Sequence, residues 1–223
     1  VTDEFMNAVK SGSEYQQRWP VDSESPEVEN FVSAEEIWNK LIEGAHASAE
    51  PGILFWDTAQ NMTPSDVYSD LGFGSVSTNP CGEIILSPYD SCRLMLVNLT
   101  SFVTSPWSET SEFNYGEFAR KVQKAQRLMD DMIDLEIEQI DKIIEKINTD
   151  PEPTHVKQIE NDMWHFIKKQ ATNGRRTGLG ITGLGDAIAM LGERYGSEES
   201  ISTVEKFYKH LAINSYTGSI ILA

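Results

Sequence analysis

Three side chains with complementary chemistry lie on alternate residues of one short predicted loop. They are the amide of Asn79, the thiol of Cys81 and the carboxylate of Glu83. In an extended or gently looped backbone, residues i, i+2 and i+4 point the same way, so the three can converge on one small ligand. Pro80 fixes φ between them, and Gly82 permits a tight or left-handed turn. An amide, a sulfur and a base on one face suit radical chemistry on a polyhydroxylated substrate.

The residue types alone leave other roles for Cys81 open. A cysteine is more often a small buried hydrophobic residue than a catalytic group, and Asn-Pro and Cys-Gly are common turn dipeptides. A disulfide with Cys92, the only other cysteine, is a second possibility. Hydrolytic thiol catalysis is a third, but it needs a histidine base near the sulfur, and the sequence indicates none.

A glycine-rich segment matches the dinucleotide fingerprint G-x-G-x-x-G at Gly178, Gly180 and Gly183. The preceding residues 173–177 are polar and basic instead of forming a hydrophobic strand, which makes the match weak. We therefore expect these glycines to permit close packing of a strand and a helix. The histidines show no metal-ligand spacing, so no metal site is predicted. They are His46, His155, His165 and His210.

The elements around the predicted loop begin with a helix. Ser33 and Glu36 form a capping box that opens this helix, which ends before Pro51. The short apolar run 53–56 is bounded by turn residues and predicts a buried strand. The other elements in this half are a polar connection, a strand after the loop and an extended segment, at residues 61–70, 84–86 and 94–103.

Helical periodicity dominates after residue 114. It predicts a long helix over 114–148, a second helix after Pro153, and a last helix capped by Ser197. A strand and tight turn over 178–185 lead into a short helix over 186–191. The predicted apolar faces, in chain order, are Ile37, Leu41 and Ala45; Phe118, Val122, Ala125, Met129 and Met132; Val156, Ile159, Met163 and Ile167; and Ile201, Val204, Tyr208 and Leu211. The alternation predicts an α/β architecture that is part of a larger one, because few strands are present.

The composition restricts the partners. Hydrophobic residues make up 39% of the 223 residues, which favours a globular chain. The net charge of −17 disfavours nucleic-acid polymers and anionic membranes, although a helix N-terminus can still hold one nucleotide's phosphates. No apolar run is long enough to span a membrane, and no secretory signal is present. Two cysteines indicate a reducing compartment, so we expect a cytoplasmic protein. The initial Val suggests a partial sequence.

Two sequence blocks resemble the large catalytic subunit of ribonucleotide reductases, most closely the adenosylcobalamin-dependent class II enzymes. The first block is STNPCGEI at 77–84, followed by LSPYDSCRL at 86–94 and VNL at 97–99. The second is RRTGLGITGLGDAIAMLG at 175–192, and PGILFWD at 51–57 is similar to the upstream strand. The resemblance implies that residues 1–223 are part of a ten-stranded α/β barrel. It also implies an active-site finger loop at about 77–86 and a helical insertion at about 114–170.

The resemblance implies a role for each residue of the loop. Cys81 is expected to become the transient thiyl radical that removes the 3′ hydrogen of the ribose. Glu83 is expected to be the general base for the 3′ hydroxyl, and Asn79 is expected to bind the substrate hydroxyls. A thiol S–H and a ribose C–H are close enough in strength for reversible hydrogen-atom exchange, and a carboxylate in a dry site is a stronger base than in water.

The resemblance also implies a second chemical step and the groups that it needs. Cys92 is similar to one of two cysteines that reduce the 2′ position and become a disulfide, and the chain lacks a third cysteine. The motif departs from many relatives at Arg93 and Met95, where those carry Asn and Gly. The implied cofactor is adenosylcobalamin, whose site is not identified in this chain. The implied partners are a ribonucleotide, the remaining segments of the reductase or a complementary subunit, and a thioredoxin-type reductant.

Two alternatives to a class II enzyme remain. In the first, the radical comes from a separate metal-containing subunit, as in class I. In the second, the chain is a non-catalytic α/β module that binds a nucleotide or a partner chain. The second alternative makes Cys81 a structural thiol, and it predicts that Cys81 is packed among apolar side chains with Glu83 pointing away.

Overall fold

The helices and strands fall into two units, Val1–Pro88 and Tyr89–Ala223. They are described from a computed structural model that covers residues 1–21 and 23–223. Helices alternate with short strands along both units, as the sequence predicts for an α/β chain. None of the described helices combines the length and the apolar character that crossing a membrane requires.

The first unit carries the predicted loop near its carboxyl end. Its elements are α1 (Asp3–Ser11), β1 (Glu14–Trp19), β2 (Val28–Ser33), α2 (Ala34–Ser48), α3 (Trp56–Met62), a 3₁₀ helix (Pro64–Leu71), β3 (Ser77–Thr78) and β4 (Ile85–Leu86). Strands β1 and β2 form one antiparallel hairpin, and β3 and β4 form another. Phe5, Ala8 and Ala34 form a small buried core where α1 meets the start of α2.

Ser33 caps α2, which confirms the serine half of the predicted capping box. The Ser33 hydroxyl accepts a hydrogen bond from the backbone N–H of Glu36 at 3.2 Å, which satisfies one of the unpaired donors at the helix start. The helix ends at Ser48, before Pro51, as predicted. Its predicted apolar face is half-buried.

Two predictions in the first unit are wrong. Residues 53–55 form no strand with any described segment, and Trp56 begins α3. The Leu54 carbonyl and the Trp56 N–H both bond to the backbone of Val1, but the described residues form no ladder of partners beyond this contact, and Leu54 and Phe55 are exposed. The polar connection at 61–70 is largely helical, because α3 continues to Met62 and the 3₁₀ helix follows.

The second unit is organised around one parallel strand pair. Its elements are β5 (Arg93–Asn98), a 3₁₀ helix (Leu99–Phe102), β6 (Val103–Thr104), β7 (Glu112–Phe113), α4 (Tyr115–Thr149), α5 (Thr154–Gly174), β8 (Thr177–Thr182), α6 (Leu184–Met190) and α7 (Glu198–Leu222). Strand β5 pairs in parallel with β8, from Arg93 opposite Thr177 to Asn98 opposite Thr182. The segment predicted as extended over 94–103 is therefore interrupted after Asn98, whose side chain caps the 3₁₀ helix.

The core of the second unit lies against one face of this strand pair. Its buried residues come from α4, α6, α7 and the 3₁₀ helix at Leu99–Phe102, and Val97 of β5 and Ile181 of β8 pack against them. Phe118 is fully buried, and its ring lies 5.2 Å from that of Phe102 and 5.5 Å from that of Phe113. One helix face of α4 thus fixes the orientation of both strands.

The long helices are confirmed, but three predicted faces are partly wrong. On α4, Met132 is exposed and Ile133 is buried in its place. On α7, Ile201 and Tyr208 are exposed, because the helix turns Thr203 and Phe207 inward.

On α5, Ile159 and Met163 of the predicted apolar face are exposed, whereas Val156 and Ile167 are half-buried. Polar pairs also join α5 to α4. Lys168 forms an ion pair with Asp141. At the end of α5, Arg175 binds Asp130 at 2.6 Å, and this hydrogen bond is the main cause of a raised pKa of the Arg175 guanidinium. Both helices lie in the region predicted as a helical insertion; that it is inserted relative to the family stays a prediction.

Replacing Phe118 tests the position of this core. Phe118→Ala removes a fully buried ring between Phe102 and Phe113, and we expect it to lower the free energy of unfolding by about 3–5 kcal/mol. Urea unfolding followed by circular dichroism measures this loss. Leu128→Ala on the exposed side of the same helix is the control and should change stability by less than about 1 kcal/mol. Equal losses of unfolding free energy in the two variants would contradict the assignment of Phe118 to the core.

Candidate active site

The predicted catalytic residues lie in the loop that joins β3 to β4, within residues 77–86. The backbone N–H of Gly82 donates to the Asn79 carbonyl at 3.0 Å, which closes a tight turn. Gly82 has φ of 80°, a left-handed conformation in which a side chain would be strained. The Asn79 N–H donates to the Ile84 carbonyl at 3.2 Å, so the ends of the loop are joined. The loop and its turn glycine are confirmed as predicted.

Asn79 has a structural task that the sequence did not indicate. Its side-chain oxygen accepts a hydrogen bond from the Ile84 N–H at 3.0 Å, so the amide closes the loop that it belongs to. This contact occupies the Oδ1 atom of Asn79. The Nδ2 group is then the part of the side chain that remains to donate to a ligand.

Cys81 and Glu83 are exposed on this loop, whereas Asn79 is half-buried. An exposed Cys81 differs from the expectation of the non-catalytic alternative, which requires a thiol packed among apolar side chains. The three side chains thus belong to one closed loop with its thiol and carboxylate accessible. Their chemical roles stay predictions.

The base of the hairpin is held by a carboxylate that sequence reasoning missed. Asp66, on the preceding 3₁₀ helix, accepts hydrogen bonds from the Ser75 N–H at 2.9 Å and from the Ser75 hydroxyl at 2.5 Å. The buried Ser87 hydroxyl, just after β4, donates to the Phe73 carbonyl at 2.8 Å. Both sides of the hairpin are therefore anchored to residues outside it. Asp66 lies in a polar stretch with no distinguishing pattern, so no sequence signal could have identified it.

Cys92 belongs to the second unit and lies immediately before β5. It is half-buried, and both cysteines carry thiols. Its sulfur lies against the backbone of Gly178, because a Cβ built at Gly178 would be 2.6 Å from the Sγ atom. A Cβ at Gly180 would likewise be 2.8 Å from Leu96 Cδ2. Close packing against side chains of the neighbouring strand therefore accounts for Gly178 and Gly180, whereas the sequence predicted packing of a strand against a helix.

Arg93 departs from many relatives, and the structure gives it a clear role. It is buried, and its Nε and Nη2 atoms each lie 2.6 Å from Oε2 of Glu136 on α4. Its Nη1 atom donates to the carbonyls of Ser91 at 2.9 Å and Arg176 at 3.3 Å. Arg93 therefore joins the starts of both parallel strands to the long helix.

The family model for the barrel domain of ribonucleotide reductase matches residues 1–223. The chain belongs to this family. This match confirms the prediction of a partial α/β barrel from a ribonucleotide reductase. Among the residues that the structure describes, no three His, Cys, Asp or Glu side chains are grouped as a metal site.

Curated relatives resemble the chain over its whole length. A vitamin B12-dependent ribonucleoside-diphosphate reductase of Thermoplasma acidophilum is 30% identical over 226 residues, which cover 100% of this chain and 24% of the relative. The enzyme of the same name from Mycobacterium tuberculosis is 27% identical over 224 residues, covering 100% and 27%. A putative adenosylcobalamin-dependent ribonucleoside-triphosphate reductase of Mycobacterium phage D29 is 28% identical, covering 95% and 24%. The chain thus spans about a quarter of these relatives.

A solved structure supports the fold of this ribonucleotide reductase segment. The alpha subunit of the class Id ribonucleotide reductase from Actinobacillus ureae has a TM-score of 0.67 and 20% identity. The alignment covers 100% of this chain and 34% of that subunit. At this identity the likeness concerns the fold alone.

Removing the Asp66 carboxylate tests whether it anchors the reductase hairpin. Asp66→Ala removes both hydrogen bonds from Ser75. Because hydrogen bonds to a charged group contribute substantially to stability, we expect the amides of the hairpin to exchange about tenfold faster in this variant. Hydrogen–deuterium exchange at the Asn79 and Ile84 amides measures this. Asp70→Ala, an exposed carboxylate on the same 3₁₀ helix, is the control. If the two variants exchanged alike, Asp66 would not be the anchor.

Proposed function

We propose that this chain carries the radical-bearing loop of a ribonucleotide reductase that acts with the segments completing the barrel. The observation that carries the proposal is the exposed thiol of Cys81 on a closed, anchored hairpin in a chain of this family. Relatives that match the whole chain are named as reductases of ribonucleoside diphosphates, and the phage relative as a reductase of triphosphates. The substrate is therefore a ribonucleotide.

The first step is a hydrogen-atom transfer at the ribose. A Cys81 thiyl radical accepts the 3′ hydrogen, so that an S–H bond forms, the C3′–H bond breaks and the unpaired electron moves to C3′. Glu83 accepts the proton of the 3′ hydroxyl, and Asn79 Nδ2 donates a hydrogen bond to a substrate hydroxyl. Enclosing the loop in the complete barrel would exclude water from the reacting groups.

The second step uses the thiol of Cys92. Two thiols supply two electrons and two protons, so that the 2′ hydroxyl leaves as water, C2′ gains a hydrogen and the thiols become a disulfide. Cys92 is one of them, and a cysteine on another segment of the reductase is the other. The hydrogen on Cys81 then returns to C3′, which regenerates the thiyl radical, and Glu83 returns the proton to the 3′ oxygen. A thioredoxin-type dithiol reduces the disulfide by thiol–disulfide exchange, which fits a reducing, cytoplasmic location.

The radical source lies outside the described residues of this chain. The names of the relatives favour adenosylcobalamin, which would supply the radical when bound to the complete enzyme. Cys81 lies on an exposed turn instead of in an enclosed cavity, so the residues around it do not by themselves fit a corrin. A separate metal-containing subunit is the alternative source. Dependence of turnover on added adenosylcobalamin distinguishes the two.

Turnover in the complete reductase tests the role of Cys81. The enzyme is assembled from this chain and the segments that complete the barrel, and deoxyribonucleotide is measured with adenosylcobalamin and a dithiol. We expect Cys81→Ser to abolish turnover, because a hydroxyl O–H is too strong to replace the thiol in reversible hydrogen transfer. Ser77→Ala, an exposed change on the same hairpin, should leave turnover intact. Reduction that survives Cys81→Ser would refute the radical assignment.

The same assembly tests Glu83 as the base. Glu83→Gln keeps the size of the side chain but cannot accept a proton, so we expect kcat to fall by about 10²–10⁴-fold, the usual contribution of general base catalysis. Because Glu83 is exposed, we expect Glu83→Gln to leave the melting temperature unchanged. An unchanged kcat would remove Glu83 from the mechanism, while a large loss of stability would make the kinetic effect uninformative about the base.

A further inference from the structure

The two faces of the β5 and β8 pair have different surroundings. Arg93 and Val97 of β5 point to the side covered by helices, where Arg93 is buried and Val97 packs on the core. Successive strand residues alternate between faces, so Leu94 and Leu96 belong to the opposite face, where they are 56% and 61% exposed. Cys92 precedes Leu94 by two residues and lies on the same side, as its contact with Gly178 requires.

On this open face, Gly178 leaves the space that the Cys92 sulfur occupies. A Cβ at Gly178 would lie 2.6 Å from Sγ and 2.7 Å from Cδ2 of Leu94. Real Cβ atoms essentially never approach other heavy atoms to under 3.0 Å, so any side chain here forces the sulfur or the leucine to move. The sulfur position therefore depends on the absence of a side chain at residue 178.

The backbone on both sides of this contact is held in place. Arg93 Nη1 donates to the carbonyls of Ser91 and Arg176, which precede β5 and β8 respectively. Arg176 Nε in turn binds Oδ2 of Asp90 at 2.5 Å, and the Asp90 side chain is 1% exposed. An ion pair with so little exposure to solvent is costly to break. The starts of β5 and β8 therefore cannot separate easily to relieve a clash at residue 178. The side chains of Cys92 and Leu94 are therefore the parts that must move.

We infer that Gly178 is a positioning residue for the Cys92 thiol. The glycine keeps the sulfur against β8 at the start of the parallel pair, and thereby sets the point from which Cys92 acts in the 2′ reduction. The inference rests on the proposed function for the catalytic meaning of Cys92, but the geometric dependence of the sulfur on Gly178 is separate from it.

The reactivity of the thiol tests this directly. Cys92 is the sole thiol in a Cys81→Ser background, and the rate of its alkylation by iodoacetamide is measured against pH in the full chain. Gly178→Ala should push the half-buried sulfur onto the open face and raise the rate about tenfold, because alkylation depends on thiol exposure. Gly180→Ala is the matched control, since its Cβ meets only Leu96 on the same face, and it should change the rate by less than about twofold. Equal rate profiles in the two variants would overturn the inference.

A double-mutant cycle keeps the test decisive if Gly178→Ala folds poorly. The melting temperature should fall more on Gly178→Ala when Cys92 is present than when it is replaced by Cys92→Ala, because only the former retains the sulfur clash. The contact with Leu94 is common to both backgrounds and cancels. If Gly178→Ala lowered the melting temperature equally in the Cys92 and Cys92→Ala backgrounds, or failed to fold in both, the glycine would be needed for the packing of Leu94 instead of for the position of the thiol.

The proposed function can fail without affecting these readouts, because neither alkylation nor melting requires turnover. In the complete reductase, Gly178→Ala should lower deoxyribonucleotide formation about tenfold relative to Gly180→Ala, since a misplaced reacting atom is costly to catalysis. A reductase that is inactive before any substitution refutes the proposed function alone. Full activity in Gly178→Ala refutes the positioning role alone.

Discussion

The parallel pairing of β5 with β8 is the constraint on which the Tyr89–Ala223 unit depends. Parallel strands cannot be joined by a hairpin, so the intervening chain must cross over, and α4 and α5 occupy most of that crossover. The crossover places α4 on one face of the pair, where Phe118 and Arg93 fix it by apolar packing and by an ion pair. On the other face, Gly178 and Gly180 of β8 have no side chain, and the Cys92 sulfur lies against Gly178. One pairing thus determines both the core and the position of the Cys92 thiol.

In the Val1–Pro88 unit, a short hairpin carries the loop with Asn79, Cys81 and Glu83. The hairpin of β3 and β4 is too short to be stable through its ladder alone, and it relies on side chains at its base and within its loop. Asp66 and Ser87 hold the base, and Asn79 closes the loop. Since Asn79 is needed for the loop itself, a substitution there changes both loop geometry and any contact with substrate.

Local signals in the sequence were the reliable ones. The cap at Ser33, the long helix over α4 and the turn at Gly82 each depend on neighbouring residues, and all are confirmed. The apolar run at 53–56 was misassigned because a short run carries no periodicity and a strand needs a partner. Long-range polar contacts were beyond prediction: Asp66 with Ser75 cannot be inferred from spacing. Arg93 could be seen to depart from relatives, but only the fold reveals Glu136 beside it.

Transfer of the 3′ hydrogen to the Cys81 sulfur is tested most directly by following that hydrogen. In the complete reductase, a ribonucleotide deuterated at C3′ is incubated with the radical source in water, and the deuterium content of recovered substrate and solvent is followed by mass spectrometry and NMR. We expect deuterium to pass from C3′ to solvent through the exchangeable thiol, and no such release in Cys81→Ser. Release that persists in Cys81→Ser, or reduction with no release from C3′ under any condition, would contradict this transfer.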